Sequence, residues 1–276
     1  MLSTNMKDKL KVLKRLPYVQ CPLIPEVEDL IKDIYITNFA RGKGDARVKL
    51  NLLEEKYREW VKDVVDLSDF EHCYFVNGVT DAINQWVATE TRSWQFLEGD
   101  YEYAQMISSK GYKAKYLNNT DVLYISNPAC ATGNFIDLKN FPNPVILDCA
   151  YLGSTKKHKM YIPKNTEQVW FSFSKGWGLI GQRAGLVFTK QPHKSLEPMK
   201  RVEAWNYTGV ELALKIIENF DIDTTYNMYQ QQQKEICQSL DLTPSDCFFI
   251  ANSIDDEFKL RRRVGNIARL DLSVFL

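Results

Sequence analysis

Histidine is scarce in this chain: only His72, His158 and His193 occur among 276 residues, so histidine-based or metal chemistry has few candidates. The six cysteines are scattered, mostly inside apolar runs, and they form neither a Cys-x-x-Cys pair nor a Cys/His cluster. Such a distribution is typical of buried free thiols in a reducing compartment rather than of disulfides or a zinc site. The sequence therefore predicts no metal site and a cytoplasmic location.

The chain also lacks net charge and long apolar runs. Its 35 basic residues balance 35 acidic ones, which argues against nucleic acid or an anionic membrane as a partner. No apolar run approaches the ~18 residues of a membrane helix, and the first residues lack the apolar segment of a signal peptide. One basic cluster, Arg261–Arg263, stands beside Asp255, Asp256 and Glu257, and we interpret it as a solvated, charge-balanced surface rather than a nucleic-acid site.

The most informative stretch runs from residue 169 to residue 188. Two apolar runs, Val169–Phe173 and Ala184–Phe188, flank a glycine-rich segment that contains Lys175 and Arg183. Short apolar runs bounded by glycine predict buried strands. A lysine at the end of such a strand would be partly desolvated, which lowers its pKa and makes its amine usable as a nucleophile or base.

Hydroxyl groups and a guanidinium surround that lysine in the sequence. Ser172 and Ser174 precede Lys175, and Arg183 follows it. Serine offers single donors and arginine a planar fork of donors, so the set suits a phosphate group. Considered alone, the stretch is more typical of a strand that leaves the core with a solvated lysine and arginine.

Three other predicted strands end in polar or small residues. The strand 73–76 runs into Gly78, Val79 and Thr80 and then a helix from about residue 81 to 89, an arrangement that presents free backbone N–H groups to an anion. Helix capping is an equally good interpretation of Thr80. The strand 121–126 leads to Asn127, and the strand 144–148 ends in Asp148.

Largely apolar strands that alternate with helices predict a parallel sheet covered on both faces, with ligands beyond the carboxyl ends of its strands. We expect three parts: an N-terminal arm that also forms part of the small domain (1–50), a large α/β domain (51–200) and a smaller α+β domain (201–276). Further predicted helices cover 26–35, 50–65, 198–220 and 225–240, and a helix carries Tyr101, Tyr103 and Met106. Further strands are predicted at 95–97, 113–117, 247–251 and 266–273, and a loop at 41–45.

A lysine amine, a buried carboxylate and a phosphate pocket together suit an aldehyde cofactor with a ring nitrogen. Lys175 would form the imine, and Asp148 would hold a pyridine nitrogen protonated, which makes the ring an electron sink. The hydroxyl of Tyr151 could reach the phenolic oxygen of the ring, and Tyr101 could stack on its face. The phosphate would be held by Gly78, Val79, Thr80, Ser172 and Arg183.

These motifs resemble those of fold-type I pyridoxal-phosphate enzymes of the aspartate-aminotransferase-like superfamily, of which the chain would be a short variant. The segment from Ser172 to Gly185 is similar to the lysine segment of that family, and Asp148-Cys-Ala-Tyr151 to its Asp-x-x-Tyr. Residues 127–133 resemble its Asn-Pro-x-Asn-Pro-Thr-Gly, and 77–80 its phosphate turn. The strand around Arg269 is similar to the one whose arginine binds the substrate α-carboxylate.

The resemblance implies a mostly parallel seven-stranded sheet between helices, a reduced α+β small domain, pyridoxal 5'-phosphate as cofactor and a homodimer. It implies a ping-pong aminotransferase acting on an α-amino acid and a 2-oxo acid through a Lys175 Schiff base, with Asp148 and Tyr151 assisting. The resemblance also implies that Ser174, Asn127 and Cys130 contact the cofactor.

One departure from the family pattern concerns cofactor tuning. Cys130 stands where the family has an asparagine that bonds the phenolic oxygen, and a thiol is a weak hydrogen-bonding group. Two alternatives therefore stay open: a lyase that performs β- or γ-elimination on the same scaffold, and a non-catalytic descendant that serves as a binding domain.

Overall fold

A computed structural model describes residues 10–14, 19–22, 24–37, 44–179 and 181–276, with the backbone alone at 33–37 and 44–46. Residues 10–13 are helical, and the helices that follow are α1 (Pro25–Thr37) and α2 (Gly44–Val61). A larger set of elements follows, in which short strands alternate with helices: β1 (His72–Val76), α3 (Val79–Thr89), β2 (Trp94–Phe96), α4 (Tyr103–Ile107), β3 (Gly111–Lys113), β4 (Val122–Ser126), β5 (Val145–Cys149), β6 (Thr166–Ser172), α5 (Phe173–Gly176) and β7 (Gly185–Thr189).

The C-terminal part begins with three helices and ends in a small sheet. Its elements are α6 (Leu196–Arg201), α7 (Tyr207–Asn219), α8 (Thr224–Leu240), β8 (Thr243–Pro244), β9 (Ile250–Ser253), a 3₁₀ helix (Asp256–Arg261), β10 (Arg262–Val264) and β11 (Ile267–Asp271). Strands β10, β11, β9 and β8 pair in that order as an antiparallel sheet.

The large sheet has seven strands in the order β1-β7-β6-β5-β4-β2-β3, and only β7 runs antiparallel to its neighbours. The predicted mostly parallel seven-stranded sheet is confirmed. Strands β4 and β5 are buried along their whole length, because helices and loops cover both faces of the sheet. The expected domain boundaries at residues 50 and 200 stay a prediction.

Side chains that alternate along the strands build a core on each face of the large sheet. On one face Trp170 packs with Trp86 of α3, their ring centroids 5.8 Å apart, while on the other Phe171 packs with Tyr57 of α2 at 5.0 Å. Helix α3 buries Val79, Ala82, Ile83 and Trp86, which share one helical face. Among the described residues, none of the helices has the length and apolar character needed to cross a membrane.

Several predicted boundaries were wrong. The long helix expected over 198–220 is two helices, because Asn206 accepts a hydrogen bond from Gly209 N (3.1 Å) and so caps a new helix. The strand expected at 113–117 lies at Gly111–Lys113, and the strand expected at 247–251 lies at Ile250–Ser253. Gly44 and Asp45, expected in a loop, begin helix α2, whereas the remainder of that loop lies outside the described residues.

Candidate active site

A cavity of about 270 Å³ lies where the parallel strands of the large sheet end. Most residues proposed for the site from the sequence line it: Val79, Thr80, Tyr101, Cys130, Asp148, Tyr151, Ser172, Ser174, Lys175, Arg183 and Arg269. Ser126, which ends β4, and Ser172, which ends β6, stand on either side of Asp148 near the end of β5. The sheet topology thus brings distant parts of the sequence to one place.

Lys175 lies on the short helix α5, which follows β6 directly. Its Nζ donates a hydrogen bond to the main-chain oxygen of Val19 at 2.5 Å. Burial, assisted by the positive charge of Arg269, lowers the pKa of the Lys175 amine. The amine is therefore closer to its nucleophilic, unprotonated form than a solvated lysine would be, as expected from the sequence.

Asp148 is a buried carboxylate whose oxygens each accept one hydrogen bond. Tyr124 OH donates to Oδ2 at 2.5 Å, and the backbone N of Ala150 donates to Oδ1 at 2.8 Å. Burial raises the pKa of Asp148 to about 7, although these two donors oppose the rise. Such a carboxylate is well placed to pair with a buried cation.

Tyr124 was not predicted as a site residue, because it lies inside an apolar run of the sequence. The register of the two parallel strands supplies the missing signal: Ser126 of β4 is opposite Asp148 of β5. Tyr124 lies two residues before Ser126 and therefore on the same face of the sheet. A tyrosine at that spacing can reach a carboxylate at the end of the next strand.

The turn after β1 and the start of β7 meet at one end of the cavity. Gly185 is opposite both Val76 and Ser172 in the sheet register, and a Cβ at Gly185 would lie 3.0 Å from Gly78 Cα. Gly78 has a φ of 75°, and a Cβ there would lie 2.9 Å from Arg183 Nη2. The glycines are needed because the two backbones and the arginine side chain approach so closely.

This end of the cavity also carries groups that can donate to an anion. Helix α3 begins at Val79 without a side-chain cap, and the N–H of Asp81 already bonds to Gly78 O (3.0 Å). The N–H groups of Val79 and Thr80 lack intrahelical acceptors. Ser174 Oγ is buried and has no hydrogen-bond partner among the described residues. Ser172 Oγ accepts a hydrogen bond from Ser174 N (3.1 Å) and fixes the turn. The arrangement fits a phosphate group.

Tyr101 and Thr80 lie beside this anion end. Burial raises the pKa of Tyr101, and the nearby side chain of Thr80 opposes the rise. Tyr101 precedes helix α4 rather than lying on it, and it is 36% exposed. Tyr101 therefore lines the cavity while remaining partly exposed to solvent.

Arg269 of β11 lines the cavity. Its Nη1 donates to Tyr151 OH and to Cys130 Sγ, at 3.2 Å in both cases, and to the main-chain oxygen of Cys130. Cys130 Sγ lies 4.0 Å from Tyr151 OH, so a weak thiol contact stands where the amide of an asparagine was expected by resemblance. Burial raises the pKa of Tyr151 well above its ordinary value, which keeps the hydroxyl protonated.

Asn127 is not among the residues that line the cavity. Its Oδ1 accepts from Ile136 N (3.0 Å) and its Nδ2 donates to Ile136 O (3.3 Å), so the side-chain amide is occupied by backbone. The backbone N of Asn127 donates to Asp148 O (2.9 Å), which ties the start of this loop to strand β5. The structure thus gives Asn127 a role in ordering the loop that carries Cys130.

The arginine cluster at 261–263 does not behave as one surface. Arg261 donates to Lys14 O, and Arg262 pairs with Asp256, as expected of a solvated cluster. Arg263 instead lines the cavity, so the surface interpretation was wrong for this residue. The reason is that β10 pairs with β11 through a register shift between Arg262 and Val264, which the local sequence does not reveal.

All six cysteines are free and buried, as predicted, and burial raises the pKa of Cys21, Cys73, Cys149, Cys237 and Cys247. Within the described ranges, histidine, cysteine and acidic side chains do not gather into a group that could hold a metal ion.

No protein-family model and no curated protein sequence matches this chain. Solved structures do. The aromatic aminotransferase from Pyrococcus horikoshii OT3 is similar with a TM-score of 0.68 at 14% identity, over 97% of this chain and 94% of that one. The pyridoxal-phosphate-bound C-S lyase from Staphylococcus hominis gives 0.68 at 12% identity, over 98% and 89%. L-threonine-O-3-phosphate decarboxylase from Porphyromonas gingivalis gives 0.63 at 15% identity, over 92% and 93%.

These similarities establish the fold. The chain has the fold-type I architecture that pyridoxal-phosphate-dependent aminotransferases adopt, as the sequence motifs predicted. The three neighbours carry names of three different reactions, so the fold alone leaves the reaction open.

Proposed function

We propose that this protein is a pyridoxal-phosphate-dependent aminotransferase that moves an amino group between an α-amino acid and a 2-oxo acid. The observation that carries the proposal is that Lys175, Asp148 and the Ser172–Arg183 anion end line a single cavity. An amine, a buried acid and an anion pocket are the three groups that this cofactor requires of a protein.

The residues fit the cofactor in chemical detail. The unpartnered Ser174 Oγ, the start of α3 and Arg183 are available to its phosphate. Asp148, whose pKa is raised to about 7 by burial, would be ionised by pairing with a protonated ring nitrogen. When bound, the cofactor supplies an electron sink for the carbon from which the substrate loses a proton.

The remaining steps are performed by side chains. The amine of Lys175, with its lowered pKa, accepts the proton from the substrate Cα. Arg269 binds the substrate α-carboxylate with a charge-assisted hydrogen-bond pair. Tyr151 and Cys130 hold Arg269 in position, and the ring of Tyr101 covers one side of the cavity.

We further infer a homodimer in a reducing cytoplasm. The dimer is supported by the resemblance of the motifs to those of dimeric enzymes, and the location by six free cysteines. Light scattering of the purified protein measures the oligomeric state, and a monomeric mass would remove the dimer from the proposal.

The decisive experiment is removal of the amine. Protein purified with pyridoxal phosphate should show the absorbance of a cofactor bound covalently to a lysine. Reduction with borohydride should make that bond permanent, and mass spectrometry of the peptides should then locate the cofactor on Lys175. Lys175→Ala should fold and lose at least 10²- to 10⁴-fold in turnover. Lys190→Ala is the matched control, because Lys190 donates to the backbone of Lys164 on the surface. Normal turnover of Lys175→Ala would refute the assignment.

A lyase is the second candidate, favoured by one observation. The C-S lyase from Staphylococcus hominis matches this chain with the same TM-score of 0.68 as the aromatic aminotransferase. Product analysis separates the two: a 2-oxo acid formed together with an aminated acceptor indicates transfer, whereas release of ammonia indicates elimination. If the protein binds the cofactor without either product, it is a binding domain.

A further inference from the structure

Asp271 is a buried carboxylate to which the proposed function gives no task. It ends strand β11, two residues after Arg269 and therefore on the same face of that strand. It is 4% exposed, and aspartate is seldom buried so deeply without partners. Its Oδ1 accepts a hydrogen bond from Ser273 N (2.9 Å), and its Oδ2 accepts one from Gln20 N (2.9 Å). The second bond ties the small sheet to the segment 19–22.

The peptide group between Val19 and Gln20 connects this carboxylate to Lys175. Its carbonyl oxygen, Val19 O, accepts the hydrogen bond of Lys175 Nζ (2.5 Å), and its N–H donates to Asp271 Oδ2. In a trans peptide group the C=O and the N–H point in opposite directions, so the amine and the carboxylate bind opposite edges of one planar unit. Amine, peptide group and carboxylate thus form a continuous chain of hydrogen bonds.

Neighbouring side chains hold that peptide group in place. Val19, Cys21 and Ile24 are buried, and all three belong to the core on the α2 face of the large sheet. Val19 also lines the cavity. Because core side chains are close-packed, the peptide group after Val19 has little freedom to turn. The geometry that joins Asp271 to Lys175 is therefore fixed by packing as well as by the two hydrogen bonds.

Charged and titratable side chains surround the Lys175 amine from several parts of the fold. They are Arg269 and Asp271 of β11, Asp148 of β5, Cys130 of the loop after β4, and Cys21 of the segment 19–22. Burial and the charge of Arg269 lower the pKa of the amine, whereas the negative charge of Asp271 opposes them. A carboxylate that accepts from a peptide N–H also polarises that peptide group, which makes its carbonyl oxygen a better acceptor for an ammonium group. Asp271 therefore favours the protonated amine by both routes.

We propose that Asp271 is a positioning residue for Lys175 and acts on its amine through the peptide group between Val19 and Gln20. The role in catalysis rests on the proposed function, in which Lys175 accepts the proton from the substrate Cα. Val19 O is only an acceptor, so it takes an N–H of the neutral amine and leaves the lone pair of Nζ for that proton. Once the proton has moved to Nζ, the polarised carbonyl stabilises the ammonium group, while the peptide group and Asp271 keep their own protonation states.

Competitive labelling of the cofactor-free protein tests the proposal, because Lys175 then carries a free amine. Trace acetic anhydride is added over a range of pH values, and mass spectrometry of the peptides gives the acetylation rate of Lys175. The midpoint of this pH profile reports the pKa of the amine, and the plateau reports its access to the reagent. Asp271→Asn should lower the midpoint, so that the rate at a pH below the wild-type midpoint rises by about threefold to tenfold.

Asp246→Asn is the matched control. Like Asp271, Asp246 accepts a hydrogen bond from the main chain of a distant segment, Phe135 N (3.0 Å), but it is not among the described residues that line the cavity. Its labelling profile should have the wild-type midpoint. A changed plateau with an unchanged midpoint in Asp271→Asn would mean that Asp271 only supports the fold, and this result would overturn the proposal.

Gln20→Pro separates the peptide route from direct action of the charge. Proline has no N–H, so the variant breaks the hydrogen-bond chain in its middle while it keeps Val19 O and the carboxylate. Gln20→Ala, which keeps the N–H and changes only the side chain, is its control. We expect Gln20→Pro to lower the midpoint and Asp271→Asn to have little further effect in that background. An equal effect of Asp271→Asn in both backgrounds would mean that the charge acts through space, and the peptide route would be wrong.

Should Gln20→Pro fail to fold by circular dichroism, nuclear magnetic resonance replaces it. The amide signal of Gln20 should titrate with the midpoint of Lys175 in the wild type, and more weakly in Asp271→Asn. An amide that does not follow Lys175, or that follows it equally in both proteins, counts against the peptide route.

Failure of this inference is distinguishable from failure of the proposed function. If the protein takes up no pyridoxal phosphate, the proposed function fails, whereas the labelling needs no cofactor and its result stands. If the cofactor binds and the midpoint does not move in Asp271→Asn, only the role of Asp271 fails. In the cofactor-loaded protein Asp271→Asn should lower kcat by about threefold to tenfold at an unchanged KM, because the base is affected and substrate binding is not. A shifted midpoint with an unchanged kcat would overturn the catalytic role of Asp271.

Discussion

The hydroxyl of Tyr124 donates a 2.5 Å hydrogen bond to Asp148 Oδ2, and both side chains are buried on neighbouring strands of the sheet. The bond favours the ionised carboxylate and so opposes the effect of burial on the pKa of Asp148. It also fixes the direction of the carboxylate, which determines where a ring nitrogen can be held. Tyr124 is therefore a positioning residue for the cofactor.

Replacing Tyr124 by phenylalanine should weaken cofactor binding. The loss of a hydrogen bond to a charged group is worth about 1.5–3 kcal/mol, which corresponds to roughly a tenfold to hundredfold increase in the Kd for pyridoxal phosphate. Absorbance titration measures it. Tyr112→Phe is the control, since Tyr112 OH donates to Asp121 at 2.6 Å outside the cavity. Equal affinities of the two variants would remove Tyr124 from the site.

The buried Asp148 should make the cofactor-free protein less stable as pH rises. Burial raises its pKa from 3.8 to about 7, so the folded state holds the proton more tightly than the unfolded state. The free energy of unfolding therefore falls as pH increases from about 4 to about 7 and stays lowered above that range.

Asp148→Asn isolates this effect. Between pH 5 and pH 8 the wild type should lose on the order of 2–3 kcal/mol of unfolding free energy relative to the variant, as an upper limit. Urea unfolding of both proteins without cofactor gives the difference, in which contributions of other groups cancel. Parallel pH profiles would mean that Asp148 is solvated.

Arg269→Ala should impair substrate binding more than cofactor binding. The variant loses the guanidinium proposed for the α-carboxylate, and we expect KM for amino acids to rise by about tenfold to hundredfold. The cofactor absorbance should change little, because the cofactor-binding groups assigned to Asp148 and Lys175 stay in place. Arg92→Ala, which breaks an ion pair with Glu167 outside the cavity, is the control. An unchanged KM would assign the α-carboxylate to another residue.

Gly78→Ala should damage the anion end of the cavity. A Cβ would lie 2.9 Å from Arg183 Nη2, and the φ of 75° is unfavourable for alanine, at about 1–3 kcal/mol. Affinity for inorganic phosphate and for the cofactor should fall, as measured by titration calorimetry. At Gly181 an added Cβ would meet nothing within 4 Å, so Gly181→Ala should leave both affinities unchanged.

The local sequence was sufficient to predict a site residue where that residue directly follows the strand that positions it. Short apolar strands with a polar residue at the end predicted both the parallel sheet and the edge at which Asp148 and Lys175 meet. The apolar spacing of residues 198–220 predicted one helix, but the structure has two. The side chain of Asn206 caps the second helix and so divides the predicted one.

By itself, the sequence determined which groups the strand ends would carry, because strand polarity and turn chemistry are encoded in neighbouring residues. Only the tertiary structure decided where individual side chains lie: Tyr124 on Asp148, Asn127 on the backbone of Ile136, and Arg263 in the cavity. Each of these contacts depends on strand register or on loop packing between distant segments. Register is set by how whole faces of the sheet are buried, which a short stretch of sequence does not specify.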